Sequence, residues 1–545
     1  LPAEIARAAR LKLRWKPADH LDFNLAAFRL QQQGLSTLFA LNAEPRPIAE
    51  LALVQPQTGY SGAVDNPSYF HLQNTVIYGQ GVWEAGPVDL KLIGSDQSIE
   101  TNASYDFDGS PMPLVAFEPA KQTGEVRTAE LQLLSNDQTW GADWLNWIGG
   151  LYFFKSRQGY DELYLHVLSV DLDGGTAGAI SLPPALVNAL RGALDPVGLA
   201  VPTGNIDLEG VVGTRSYAAF AQGTAALSEW FSLTLGGRYQ VEKRWVIASN
   251  SNATLSNGES INIFDFDNAG LSDTVRSFKP KVSLDFRPSD DALVYLSWQQ
   301  ALKSAAYNTV NIYDGVDYVE PEEMEAYELG VKTTLLGGTA RLNAAAFHYE
   351  IKNQQVQYVS LLAGGAIRFE NAAGERIRGV DFDLLVELLP EWVDGLVLTA
   401  GGAYLDASYQ NYQGASGFDS STGVLTNNND FSGNRVVRAP DFTGQLGLSK
   451  STPWGAGMLE LSGSVYHNSG YSYAPIDDDI SNQDAYTTVD AHLSYLYEPW
   501  RLRATVFGRN LTDKFYIIGL FNTDFGRLQS PAPPRVVGLR LNWDF

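Results

Sequence analysis

Arg535-Val-Val-Gly-Leu-Arg-Leu-Asn-Trp-Asp-Phe545 is the stretch whose reading decides the fold. Val537, Leu539, Leu541, Trp543 and Phe545 fall on one face of an extended chain. Val536, Gly538, Arg540, Asn542 and Asp544 fall on the other. Successive side chains of a strand point to opposite faces, so one face is apolar throughout and the other mostly polar. A soluble sheet can alternate in this way. A strand of about ten such residues ending on an aromatic also suits a membrane barrel, with lipid outside and a wet or plugged lumen inside.

The totals favour the second reading. The 545 residues are 45% hydrophobic and carry a formal net charge of −24. No run of about 18 apolar residues, the length a membrane helix needs, occurs; the apolar residues are dispersed in alternation. The absence of cysteine excludes disulfide scaffolds and thiolate metal sites. The acidic balance argues against nucleic acid as a partner, because that requires basic surface. Leu1 to Trp15 lacks the basic-then-apolar order of an export leader, and residues 6–15 already alternate like a strand, so the sequence reads as starting in mid-structure.

Alternating runs bounded by turn residues predict about nineteen strands. They lie near 6–15, 21–31, 72–84, 88–105, 125–135, 144–157, 214–226, 231–247, 276–287 and 291–303. The remainder lie near 322–335, 340–358, 376–389, 395–410, 438–451, 457–469, 484–498, 501–515 and 535–545. Odd-numbered connections are mostly short, such as Ala85-Gly-Pro87 and Pro288-Ser-Asp-Asp291. Even-numbered ones are mostly long, such as 32–71, 158–213 and 411–437. Short turns at one rim and long loops at the other are the signature of an outer-membrane barrel. Several strands share the two-faced chemistry: Val380, Phe382, Leu384, Val386 and Leu388 oppose Asp381, Asp383 and Glu387. A charged inner face of this kind needs a watered or plugged lumen. An odd strand count cannot close an antiparallel bacterial barrel, so strands are expected to be missing before Leu1. The last strand is expected either to present an open edge or to be forced onto residues 6–15.

Gly508-Arg-Asn-Leu-Thr-Asp-Lys-Phe-Tyr516 followed by Pro534-Arg535 and a terminal aromatic resembles the closing signature of the TonB-dependent outer-membrane receptors. Ser277–Tyr295, Glu325-Ala-Tyr-Glu-Leu-Gly-Val-Lys332, Arg341–Tyr349, Arg378-Gly-Val-Asp381, Leu235-Gly-Gly-Arg-Tyr239 and Glu130–Ser135 fit the same pattern in order. The resemblance covers nearly the whole chain. It implies an all-β transmembrane antiparallel barrel with residues 1–545 as one barrel domain, about 19 of 22 strands present, and a plug and TonB box lying outside the sequence. It further implies residence in the bacterial outer membrane among its lipids. The implied activity is capture of a scarce solute, by default a ferric siderophore, and import powered by the TonB-ExbB-ExbD complex through the plug. Phe545 and Trp543 would then form the signal read by the outer-membrane assembly machinery. A plugless, passive porin-like channel is the alternative.

The candidate ligand contacts are aromatics of the long loops: Tyr313, Tyr318, Tyr409, Tyr412, Tyr471, Tyr473 and Phe521. Loops on a rigid scaffold carry recognition, and aromatics supply contact area there. Packing of the loops against each other is the alternative role for each. Asp106-Phe-Asp-Gly109 and Asp171-Leu-Asp-Gly174 echo the start of a calcium loop but lack its later ligands, so turn chemistry is the better reading. Leu182 to Leu194 reads as a short helix in the longest loop. No nucleophile elbow, zinc-helix motif or phosphate-binding glycine loop is present, and no catalytic residue, metal site or cofactor is expected.

Overall fold

The computed structural model describes residues 5–35, 40–41, 59–60, 62, 64–66, 68–110, 115–167, 170–171, 176–177, 180–181, 204–255, 260–265, 271–311, 315–360, 365–372, 374–389, 393–418, 425–523 and 526–544. Nineteen long strands dominate it. In chain order they are β1 Ile5–Ala18, β2 Leu21–Gly34, β3 Tyr69–Glu84, β4 Val88–Asp106, β5 Val115–Ser135, β6 Leu145–Val167, β7 Gly204–Ala226, β8 Phe231–Leu255, β9 Ser272–Ser289 and β10 Ala292–Lys303. There follow β11 Glu322–Leu335, β12 Ala340–Lys352, β13 Gly374–Glu387, β14 Leu396–Tyr409, β15 Phe442–Trp454, β16 Gly457–Asn468, β17 Tyr486–Tyr497, β18 Leu502–Arg509 and β19 Val536–Trp543. Each pairs antiparallel with the next, and the short strand Ser260–Asp265 extends the far end of β8 into a twentieth member of the sheet. All nineteen expected strands are present, and short and long connections alternate along the meander except at β4–β5 and β5–β6, where 107–114 and 136–144 are of similar length.

The two faces are as the alternation requires. On the outer face Leu235, Tyr239, Phe278, Leu329, Val380, Phe382, Leu461, Leu493, Leu539 and Leu541 are exposed apolar side chains. On the inner face polar groups pair with each other. Asn343 Nδ2 donates to Asp383 at 2.8 Å, Ser462 Oγ lies 2.9 Å from His492 Nδ1, and Arg503 Nη1 lies 3.3 Å from Glu460 Oε2. A lumen this polar satisfies itself through such contacts and water, whereas the exposed apolar band of the outer face belongs in hydrocarbon.

The structure departs from the expected boundaries where a residue adopts the left-handed region. The run 340–358 is not one strand: Asn353 has φ 54°, and the chain turns there into a separate hairpin, Gln355–Ser360 with Gly365–Asn371. Asparagine tolerates that conformation better than most residues. Likewise 501–515 ends as a strand at Arg509, because Asn510 (φ 47°) closes a turn. Its Nδ2 donates to Lys514 O and its Oδ1 accepts from Lys514 N, both at 2.9 Å. Gly508 leaves room beside it for Leu511, whose Cδ2 would lie 2.5 Å from a Cβ at that position. The Gly-x-Asn-Leu-Thr-Asp signature is therefore a folded turn, and Asp513 Oδ1 completes it by accepting from Arg535 N at 2.8 Å.

Strands β5 to β8 are taller than expected. They continue well beyond the apolar band, where Val115, Phe117, Leu163, Leu165, Ile206 and Leu208 form a buried apolar cluster with Val310 of a loop hairpin. At the other extreme of the sheet, β1 pairs only with β2 and β19 only with β18 among the described residues. Both run toward the short-turn rim, so they could not pair antiparallel with each other. Leu11, Leu13 and Trp15 on β1, and Val537, Leu539, Leu541 and Trp543 on β19, are at least 60% exposed.

Candidate ligand vestibule

Among the described residues, five loop hairpins, the fourth being Tyr471–Ser472/Asn482–Gln483, are each tied to the next by side chains. The hairpin Ala306–Asn308/Asp317–Val319 is bound to Gln355–Ser360/Gly365–Asn371 by a two-pronged ion pair: Arg368 Nε and Nη2 each reach an Asp317 carboxylate oxygen at 2.9 Å. That second hairpin holds the third, Gln413–Phe418/Leu425–Asp430. Tyr412 Oη donates to Glu370 Oε1 at 2.9 Å, and Ser416 N donates to the same oxygen at 3.1 Å. Arg435 binds Asp477 through Nε and Nη2, and Asn434 Nδ2 donates to Pro475 O, joining the third loop to the fourth. Tyr473 Oη donates to Ile517 O, and Ile517 N donates to Gln483 Oε1, joining the fourth to the fifth. The fifth, Ile517–Thr523/Gly526–Pro531, takes Ala40–Leu41 as an added strand. Charge-assisted and two-pronged contacts are the strong members of such networks.

The expected contact aromatics divide by burial. Tyr409 and Tyr412 are buried with Phe431, Ala415 and Val436 in one loop core, their rings 5.2 Å apart. Burial, with the Glu370 carboxylate next, pushes the Tyr412 phenol above its ordinary range. Tyr473 is buried against Ile517 and Leu520, with Arg438 over its ring and Tyr471 beside it. These four hold loops together. Tyr318 and Phe521 keep more than a third of their surface exposed; Tyr318 Oη donates to Asp273 Oδ2 at 2.8 Å. The structure does not bring the aromatics into one patch. Tyr313 and Phe545, the segment 182–194 and the acidic echo at 172–174 lie outside the described residues. Trp543 ends β19 on its outer face.

A cavity of about 480 Å³ lies where the first two hairpins meet the tall wall. Tyr160, Arg244, Tyr307, Asn308, Gln357 and Phe369 line it. The 306–319 hairpin is seated by Val310, which packs among Leu208, Ile206 and Leu163, and by Ser249 Oγ donating to Thr309 O at 2.9 Å. Gly210 permits this seat, because a Cβ there would meet Thr309 Oγ1 at 2.6 Å and Thr309 O at 2.8 Å. Below the cavity the inner face of β8 carries a ladder. Arg238 Nε donates to Gln240 Oε1, Gln240 Nε2 to Glu242 Oε2, and Arg244 Nε to Glu242 Oε1 at 2.9 Å. Arg238 also lies 5.0 Å over the Tyr152 ring. Sequence reasoning concentrated on loop aromatics and passed over these strand-borne groups; the inner-face parity of β6 and β8 was the signal that could have found them.

One described grouping could hold a metal ion. Carboxylate oxygens of Asp65, Asp106 and Asp108 lie within 4.8 Å of one another. Asp106 Oδ1 accepts from Gly109 N at 2.7 Å and Asp108 Oδ1 from Ser110 N at 3.1 Å, which is the turn chemistry expected of Asp106–Gly109. Burial first, then the neighbouring Asp108 charge, raises the Asp106 carboxyl to about 8; burial raises Asp108 to about 6. A proton or a cation would relieve this crowding equally well.

A two-faced antiparallel wall with a polar lumen and a roof of interlocked loops is the architecture of an outer-membrane receptor barrel. The chain belongs to the TonB-dependent receptor family: its model, described as TonB dependent receptor-like, beta-barrel, matches residues 56–511. The probable TonB-dependent siderophore receptor PiuA of Acinetobacter baumannii is 23% identical over 168 residues, which is 29% of this chain and 20% of that protein. The match thus spans about a fifth of that relative. Among solved structures, the ferric yersiniabactin uptake receptor FyuA of Yersinia pestis superposes with a TM-score of 0.71 at 16% identity, over 99% of this chain and 71% of that one. The ferric preacinetobactin receptor BauA of Acinetobacter baumannii gives 0.64 at 16% identity, over 99% and 72%. The copper transporter OprC gives 0.65 at 12% identity, over 99% and 72%. At these identities the likeness is one of fold.

Proposed function

We propose that this chain is the barrel of an outer-membrane receptor that captures a ferric siderophore or similar metal chelate and imports it with energy transduced by TonB. The observation that carries the reading is the roofed cavity beneath the first two hairpins. It is concave, holds two aromatic residues and a tyrosine of the wall, and is lined by the amide of Gln357 and the guanidinium of Arg244. Such a site suits a planar, oxygen-rich chelate: rings for stacking, donors for its oxygens. The relatives named for ferric ligands support iron as the metal, and the copper transporter of the same fold makes copper the control. The receptor alters no covalent bond of its cargo.

The test is growth of a deletion strain, with and without the intact gene restored, on single chelated iron sources. Restored growth on at least one ferric chelate is expected. Growth independent of the gene on every chelate overturns the iron reading. Uptake that survives collapse of the proton-motive force indicates a passive channel instead.

A further inference from the structure

We infer that Asp65, Asp106 and Asp108 form a calcium site that fastens the loop before β3 to the turn after β4. The site stands apart from the cavity of the proposed cargo and does not depend on what the barrel imports.

The three carboxylates arrive on two separate segments. Asp106 ends β4 and Asp108 follows it in the turn, where the sequence stops short of the later ligands of a calcium loop. The fold supplies a third carboxylate from elsewhere. Asn66 Nδ2 donates to Ser104 Oγ at 3.0 Å, and Asp65 N donates to Ser110 O at 3.3 Å. These two bonds lay Asp65 against the turn, and carboxylate oxygens of the three residues come within 4.8 Å of one another.

The donors already in place favour a cation over a proton. Asp106 is 5% exposed and Asp108 1%. Val115 N donates to Asp108 Oδ2 at 2.8 Å, while Ser110 N and Oγ both donate to Asp108 Oδ1. A carboxylate that receives donors on both oxygens is held ionised. Gly109 N occupies Asp106 Oδ1 at 2.7 Å, which leaves Asp106 Oδ2 to the cluster; that oxygen is buried and accepts from no donor. Among the described residues no Lys, Arg or His pairs with any of the three carboxylates. Buried carboxylates without a countercharge are costly. One proton neutralises one carboxyl and leaves the others charged, whereas a divalent cation takes oxygen from all three. An all-oxygen donor set selects hard cations. Asp65 is exposed, so one side stays open to the waters that complete the roughly six to eight ligands calcium takes. Magnesium demands a near-ideal octahedron, which carboxylates anchored by backbone donors are not free to form.

The probe is the calcium ion itself, titrated by calorimetry into the intact receptor in neutral detergent after EGTA treatment. An alkaline buffer keeps protons from competing, and magnesium is the comparison ion. A single calcium is expected, with a dissociation constant of about 0.1–1 mM, the range of extracellular modules, and magnesium at least tenfold weaker. Hydrogen exchange in peptides covering Asp65 and the 104–110 turn should slow at least tenfold on adding calcium, while β16 and β17 stay unchanged. Asp65→Asn lies on the exposed side and leaves the wall intact; it should lose at least tenfold in affinity, and Asp106→Asn should lose as much. Absence of calcium heat and of any slowing of exchange overturns the site. Undiminished binding by Asp65→Asn also overturns it, by placing the ion elsewhere, and equal binding of magnesium overturns the assignment to calcium.

Discussion

Replacing Asp317 by Asn keeps the shape of the first hairpin and removes one charge. Arg368 meets Asp317 through two contacts at 2.9 Å, with side chains only 16% and 13% exposed. Asn308 Nδ2 at 3.2 Å and Phe369 N at 3.4 Å converge on the same carboxylate. Breaking a fully buried pair costs about 3–5 kcal/mol, because the orphaned charge stays behind. A charged hydrogen bond in a wetter place contributes about 1.5–3 kcal/mol. The residual exposure here puts the loss at about 2–3 kcal/mol, so local opening should become roughly 30–150 times more frequent. Hydrogen exchange read by mass spectrometry is the assay. Peptides covering 315–321 and 365–372 should exchange faster by that factor, while β11 and β12 stay protected. Unchanged exchange in both loop peptides would refute the view that this pair locks the roof. Equal acceleration in β11 would mean that the substitution damages the barrel.

Gly210→Ala should unseat the 306–319 hairpin through the Thr309 contact and weaken chelate binding by roughly tenfold, about 1.4 kcal/mol, at unchanged barrel yield; undiminished affinity by tryptophan quenching contradicts the seat. The Asp106 carboxyl, raised to about 8, binds its proton more tightly folded than unfolded, so its contribution is full below the ordinary carboxylate range and is lost as pH rises through about 8. Exchange protection of the 107–110 turn should therefore fall between pH 6 and 9, and Asp106→Asn should flatten that dependence; a turn that tightens with rising pH contradicts the sign. Phe545→Ala should lower the amount of assembled barrel without altering affinity per assembled molecule, and normal assembly on heat-modifiability gels would remove Phe545 from any signal role.

The strands were legible because a face in lipid and a face in water impose a period of two that nothing else in the chain imitates. Leu539 and Arg540 declare their faces from sequence alone. The extensions of β5–β8 were not legible: above the lipid band Leu208 and Val211 are buried on the protein's own packing, and the alternation of polarity fades. Nor were the loop ties. Asp317 and Arg368 are 51 residues apart, and Arg435 and Asp477 are 42 apart; no local pattern marks either pair. Loop aromatics were visible as a class, yet which of them pack and which face the solvent depends on partners such as Glu370 and Ile517 that lie in other loops.

The central claim is energised import of a metal chelate through this barrel. Uptake of radiolabelled iron, offered as a panel of ferric chelates with a copper chelate beside them, measures it in cells carrying the intact gene. The account predicts saturable uptake of at least one ferric chelate that stops when the proton-motive force is collapsed. Uptake that rises linearly with concentration and ignores the uncoupler, or uptake of copper alone, would contradict it.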